Sequence, residues 1–256
     1  MSSQFSDHFG KVAGQYADFR PHYPSALFEW LSAQCQDHDL VWDCGAGSGQ
    51  ASVALAEYFH QVHATDASAG QIAQATAHPR VHYAVAAAES SGLASASADL
   101  VTIAQALHWF DLPLFYAEAR RVLKPGGVIA AWSYGITTVE GEAVNAAIQH
   151  FYKAVIGPYW PAERHHVETG YREIEFPFDG IAIPDISMSA EWSLAQLLGY
   201  LRSWSASARY QTATGEDAVQ ALGQMLIPLW GEPENTRLIS WPLAILAGRV
   251  LKKSEC

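Results

Sequence analysis

Short apolar runs alternate with stretches of helical spacing from residue 40 to about Trp132. Val41-Trp42 is the first such run and stops at Asp43, and apolar positions between Ser48 and Phe59 then recur at the interval of a helix. Further strands are predicted at Val62–Thr65, Val81–Val85 and Asp99–Ala104, and a fifth runs to Trp132. Strands separated by helical segments describe a doubly wound, mostly parallel sheet, because a crossover helix is what joins parallel neighbours. Beyond Trp132 the pattern changes. Thr138 to about Gly170 is helical and aromatic, with Phe151, Tyr152, Tyr159 and Trp160 near Pro158 and Pro161, and reads as a helical cap inserted after the fifth strand. Glu173–Phe178 alternates polar and apolar residues as a strand does, while Ser193–Trp204 and Glu216–Ile227 have helical spacing. The apolar run Leu238–Val250 predicts one last strand, which Pro242 places at an edge or a bulge because proline cannot donate to a ladder.

The candidate chemistry sits where the first strand turns into its helix. Asp43-Cys44-Gly45-Ala46-Gly47-Ser48-Gly49-Gln50 joins an apolar strand to a glycine-packed turn. A strand that ends in an acid leaves it near the carboxyl edge of the sheet, and glycines let backbone amides approach a ligand, so the turn makes a nucleotide-type cofactor site. The spacing is G-x-G-x-G, and where a nicotinamide-binding fingerprint has its third glycine this chain has Gln50. About twenty residues further on, the second strand ends at Asp66-Ala67, where a carboxylate can accept both hydroxyls of a ribose. The alternative role for Asp66 is to cap the helix that starts near Ser68.

With four further segments, these motifs resemble the class I S-adenosylmethionine-dependent methyltransferases. Ala88-Glu89 follows the third strand, where that family places an adenine-contacting Ala-Glu, and Asp99–Ala104 is similar to its fourth strand. Arg121-Val122-Leu123-Lys124-Pro125-Gly126-Gly127 resembles its turn before strand five. More narrowly, Phe9–Pro24 and Gln105-Ala106-Leu107-His108-Trp109-Phe110 resemble the type 11-like, small-molecule branch that includes trans-aconitate methyltransferases. The likeness covers residues 5 to 135 closely. It implies a Rossmann-like α/β fold with a seven-stranded sheet and helices on both faces. It also implies S-adenosyl-L-methionine as cofactor, S-adenosyl-L-homocysteine as product, and no metal. The domain is then a single unit over residues 1–256: a cofactor-binding core at 1–135, the cap at 136–170, and a part at 171–256 that completes the sheet and the acceptor pocket.

By the same resemblance, Asp43, Gly45, Ala46, Gly47 and Gly49 hold the methionine and ribose side of the cofactor, Asp66 and Ala67 the ribose, and Ala88 and Glu89 the adenine side. Many relatives carry an acid just before the Ala-Glu pair; this chain has Ala87, which leaves adenine recognition to backbone groups and Glu89. Tyr16 and Arg20 lie in an amino-terminal segment that folds over the cofactor in the family, where the hydroxyl and guanidinium meet its methionine carboxylate. A core tyrosine and a surface arginine are the other reading of that pair.

Methyl transfer of this kind is a direct displacement, so the protein contributes alignment and a dry, shaped site. Gln105, His108 and Trp109 follow the fourth strand directly and form the expected acceptor wall, with Gln105 also reaching the cofactor. His108 is the candidate general base, since an ordinary histidine pKa near 6.5 suits proton removal from a hydroxyl or amine. A carboxylate acceptor needs no base, and His108 would then only shape the pocket. Arg164-His165-His166 forms a compact basic cluster in the cap, suited to an anionic acceptor or else simply solvated. The expected acceptor is a small molecule, a carboxylate first and a hydroxyl or amine next. A nicotinamide-dependent oxidoreductase and a non-catalytic cofactor-binding protein are the alternatives from other classes.

Composition narrows the partners. The 256 residues, half of them hydrophobic, suffice for one large domain with a cap. The net charge of −11, without any lysine- or arginine-rich block, argues against nucleic acid. No stretch approaches the roughly 20 apolar residues of a membrane span and no signal-peptide pattern opens the chain, so the expected location is the cytoplasm. Cys35, Cys44 and Cys256 have neither paired nor C-x-x-C spacing, which suggests neither a disulfide framework nor a zinc site. Most of the nine tryptophans are expected in the core, with Trp204 and Trp230 unassigned.

Overall fold

A computed structural model of the protein describes residues 19–232 and 234–250. In chain order the elements are α1 (Ser25–Gln34), β1 (Leu40–Cys44), α2 (Gln50–Leu55), β2 (Gln61–Asp66), α3 (Ala69–Ile72), β3 (Val81–Val85), β4 (Ala98–Ala104), α4 (Leu112–Val122) and β5 (Leu123–Tyr134). They continue with β6 (Thr138–Val139), α5 (Glu142–His150), α6 (Arg164–Glu168), β7 (Asp179–Gly180), β8 (Met188–Trp192), α7 (Leu194–Arg202), α8 (Ser205–Thr214), α9 (Ala218–Trp230), β9 (Arg237–Trp241) and β10 (Leu243–Arg249).

The main sheet has seven strands in the order β3-β2-β1-β4-β5-β10-β7. The first five run parallel, and β10 pairs antiparallel with both β5 and β7. β1 and β4 are buried along nearly their whole length, as their unbroken apolar runs require of central parallel strands. α1 and α2 cover one face through Leu27, Leu31 and Leu55 against Val41 and Trp132. α4 covers the other through Phe115, Ala119 and Val122 against Trp42 and Val101. The Lys124–Gly127 segment is a bulge within β5 as well as a turn before it, because Leu123 pairs with Ala98 while Val128 already pairs with Leu100.

The cap is larger than the expected 136–170 insertion. α5 continues through a π-helical turn at Phe151–Val155 and packs with α7, α8 and α9. β8, β9 and β6 form a separate three-stranded sheet in the order β6-β9-β8. Between Asp179 and Arg249, only β7 and β10 join the main sheet. Trp204 and Trp230 both belong to the cap core.

Two strand expectations are corrected. Glu173–Phe178 forms no ladder: its alternation reflects a loop that lays Phe176 and Phe178 on Tyr116, at ring separations of 6.2 and 5.4 Å. The run from Leu238 to Val250 is two strands in two sheets. Trp241 pairs with Met188 in the cap, Leu243 pairs with Tyr134 in the main sheet, and Pro242 between them accepts from Gly135 N–H at 3.0 Å. The predicted helix Ser48–Phe59 is regular only over α2, because its end tightens into three-residue bonds from Glu57 to Ala54 and from Tyr58 to Leu55.

Among the described residues, no helix is long and apolar enough to cross a membrane. Leu197 is fully buried where α7 meets the rest of the cap core. Truncation at such a site removes buried area and leaves a cavity, so Leu197→Ala should lower unfolding free energy by about 3 kcal/mol in urea titration.

Candidate functional site

The glycine turn is built on a carboxylate that solvent never reaches. Asp43 is fully buried beneath the turn; its Oδ2 accepts from Ser52 Oγ at 2.5 Å and its Oδ1 from Thr102 Oγ1 at 2.8 Å. The end of β1 is thereby tied to α2 on one side and β4 on the other. Burial pushes the Asp43 carboxyl up to about 6, against the two hydroxyl donors that favour its charged form. Both carboxylate oxygens face protein hydroxyls, so Asp43 shapes the turn from below.

Gly45 and Ala46 N–H groups donate to Thr65 O at 2.8 and 2.9 Å, which locks the turn onto β2. Gly45, Gly47 and Gly49 all lie at positive φ, but their surroundings differ. A Cβ at Gly45 would strike Ala106, and one at Gly49 would strike the Tyr83 ring. At Gly47 the nearest atom to such a Cβ is Gln71 Oε1 at 3.8 Å, so this is where the turn stays open to a ligand. Gly47 N–H donates to Asp66 Oδ2 at 2.9 Å, and Ser68 N–H donates to Asp66 Oδ1 at 2.8 Å. Asp66 therefore braces both the turn and Ser68, and it is Ser68, not Asp66, that caps α3 by accepting from Gln71 N–H. A carboxylate oxygen has more than one acceptor site, so this bracing is compatible with accepting ribose hydroxyls. Ala67 beside it is exposed. At the end of β3, Ala88 packs into the core, and Glu89 Oε1 accepts from Asp111 N–H at 3.3 Å, next to the start of α4.

The turn after β4 carries the expected acceptor wall. Gln105 sits at φ +57°, a strained conformation for a residue with a side chain. Its N–H donates to Trp132 O at 2.9 Å and its Nε2 to Tyr134 O at 3.4 Å, so the strain is held by the end of β5. Trp109 is 38% exposed. His108 is half-buried and its Nδ1 shares a hydrogen bond of 2.9 Å with the hydroxyl of Tyr171. Burial, helped by the Arg164 and His166 charges, pushes the imidazole down to about 3, so the ring is neutral at ordinary pH.

Tyr171 is a site residue that sequence reasoning missed. It is fully buried at φ +59°, directly after Gly170 at φ +61°, and its N–H donates to His166 O at 2.8 Å. Two successive left-handed residues end the helical segment and turn the tyrosine back onto His108. The Gly-Tyr pair at the end of a helical stretch was the available signal.

The amino-terminal strap reaches this edge too. Tyr16 lies outside the described residues. Arg20 is half-buried, and its charge acts on Tyr23 and on Tyr134 at the end of β5. The Phe19 ring lies on the bare backbone of Gly199 in α7. Gln50 Nε2 donates to Pro21 O at 3.0 Å and lies 3.2 Å from His22 Nδ1. The position that lacks a dinucleotide-fingerprint glycine thus holds the strap. The basic cluster of the cap divides: His165 is exposed and pairs with Glu173 at 2.8 Å, whereas Arg164 is half-buried among aromatic rings.

The depressed His108 pKa fixes a sign. The unfolded chain binds a proton below about 6.5 that the folded chain refuses until about 3, so this group's contribution to stability is complete above pH 6.5 and is lost as pH falls. Asp43 acts in the opposite direction, but equally in wild type and in a His108 variant. Between pH 7 and pH 5, the wild type should lose about 1–2 kcal/mol more than His108→Gln in urea unfolding.

Comparison with known proteins agrees with this geometry. A family model described as a methyltransferase domain matches residues 42–131. A methyltransferase-family protein of Dictyostelium discoideum is 36% identical over 228 residues, covering 88% of this chain and 87% of its own. The methyltransferase cfoB of Aspergillus candidus is 31% identical over 73% of this chain and 63% of its own. The solved structure of a type II methyltransferase-family protein from Anaeromyxobacter dehalogenans superposes with a TM-score of 0.85 at 48% identity, covering 91% of this chain and 99% of that one. The open glycine turn, the acid at the end of β2 and these relatives together show that the chain belongs to the class I S-adenosylmethionine-dependent methyltransferases.

Proposed function

We propose that this enzyme methylates a small-molecule acceptor, a carboxylate before a hydroxyl or amine. The observation that carries the reading is the state of the wall after β4: its one histidine has Nδ1 engaged by Tyr171 and a pKa pushed down to about 3 by burial, too weak a base for neutral pH, which suits an acceptor that needs no proton removed. The resemblance of Phe9–Pro24 and Gln105–Phe110 to the trans-aconitate branch supports the same ranking.

The residues at the carboxyl edge fit S-adenosylmethionine. Gly47 offers an uncovered backbone at the turn, Asp66 presents a carboxylate at the end of β2, and Glu89 stands at the end of β3. Arg20, with its charge bearing on the same edge, is suited to the methionine carboxylate. When bound, the cofactor supplies a sulfonium methyl to an attacking heteroatom. Gln105, held by β5, and Trp109 orient the acceptor, while His108 maintains the shape of the wall. The cap and strap cover the edge and keep water from the reacting groups. No metal is needed for this chemistry, and the acidic surface suits neither nucleic acid nor an anionic membrane as partner.

Calorimetric titration with S-adenosylhomocysteine and with NADH tests the cofactor side. Saturable binding of the first alone is expected, with affinity lowered about tenfold in Asp66→Ala as its hydroxyl contacts are lost; binding of NADH alone would instead establish an oxidoreductase. Once an acceptor is found, His108→Gln should reduce kcat by less than about tenfold, since a general base is typically worth 10²–10⁴-fold. A loss of 10²-fold or more with unchanged S-adenosylhomocysteine affinity would make His108 the base.

A further inference from the structure

Arg164 stands apart from the other cations of the cap. Its guanidinium carbon lies 4.6 Å from the Trp160 ring centroid and 5.6 Å from that of Tyr152. Its Nε donates to the Tyr152 hydroxyl at 2.8 Å, and that hydroxyl donates to Glu168 Oε1 at 2.6 Å. Glu168 is thus kept one hydroxyl away, and no direct ion pair joins Arg164 to a carboxylate among the described residues. A half-buried cation without a direct counter-ion carries a desolvation cost that an incoming anion would relieve.

The surroundings include a surface hollow. A hollow of about 350 Å³, within the size range of small-molecule pockets, is lined by Arg164, Trp160, Tyr152, Lys153, His165 and Glu168. The Trp160 indole nitrogen, on the ring that Arg164 covers, is shut off from solvent and has no hydrogen-bond partner among the described residues; a buried polar atom of this kind is usually satisfied. Helix α6, which Arg164 opens, packs against the Leu107–Trp109 turn, and the Arg164 charge acts on His108, Tyr134 and Tyr171 near the carboxyl ends of β4 and β5. Lys153 adds positive charge to the lining of the hollow in a chain whose net charge is −11, and Glu168 is the one acid in that lining.

We propose that Arg164 is the specificity residue of this enzyme, anchoring a carboxylate of the methyl acceptor in the hollow beside Trp160. This assignment rests on the methyltransferase reading above and deepens it. A guanidinium already seated on aromatic rings presents its remaining N–H groups in a fixed fork that matches a planar carboxylate, which a lysine would not.

Calorimetry on the S-adenosylhomocysteine complex, with benzoate and succinate as probes and benzamide and succinamide as their neutral counterparts, tests it. The acids are expected to bind and the amides not. Arg164→Gln should weaken acid binding at least about tenfold, with Arg164→Lys intermediate and S-adenosylhomocysteine affinity unchanged in both. Equal binding of acids and amides to the wild type, acid binding unaltered in Arg164→Gln, or no acid binding to a complex that holds S-adenosylhomocysteine normally would each overturn the anchor while leaving the methyltransferase reading in place. The acid-against-amide comparison needs no variant, so it decides even if Arg164→Gln fails to fold. Absence of S-adenosylhomocysteine binding would remove the methyltransferase reading and the anchor with it.

Discussion

A single buried carboxylate sets the geometry of the reactive edge. Asp43 takes a hydroxyl from Ser52 in the helix after the turn and another from Thr102 in the neighbouring strand, so three elements meet at one acid. Solvent cannot substitute for either donor, and an unpaired carboxylate at that depth would be costly. The spacing between β1 and β4 at the edge, and hence the position of Gln105 three residues beyond Thr102, follows from that junction. Its carboxyl, pushed up to about 6, is held near the limit at which burial would neutralise it. The hydrogen bonds are what keep the charged form accessible there.

Above this junction the molecule is aromatic. Tyr134 ends β5 and belongs to the cap core, so the sheet and the cap share a residue at the site itself. In the same core Trp204 and Trp241 pack edge to face on Tyr200, at ring separations of 5.3 and 5.7 Å. Such rings supply large buried area with few rotatable bonds, which suits a wall that must hold a small acceptor still. His108 and Tyr171 fasten the turn after β4 to the segment that follows α6. A neutral imidazole does this without placing a second buried cation beside Arg164.

β1 and β4 were legible because strands buried on both faces must be largely apolar, and the partly exposed β2 and β3 also appear within a residue or two of where their runs predicted. The glycine turn was legible too, since no other residue type tolerates Ala106 and Tyr83 so close to the backbone. Which way Asp43 points was not, because an acid at the end of a strand is compatible with facing ligand or facing core, and the choice lies with Ser52 and Thr102, 9 and 59 residues away. The alternation at Glu173–Phe178 misled because a loop that buries every second side chain on α4 has the same period as a strand. Leu238–Val250 misled for a different reason: its apolar run continues across a change of sheet, and only Pro242 records the break. The extent of the cap depends on contacts between α5 and helices more than fifty residues later, which no local pattern encodes.

The strap has a mechanical consequence. Phe19 is seated on the cap at Gly199, and the carbonyl of Pro21 is held by Gln50 at the base of the cofactor turn. Two residues of fully extended chain reach only about 7 Å. Phe19 and Pro21 thus tie the cap to the glycine turn through a link whose length is fixed by covalent geometry.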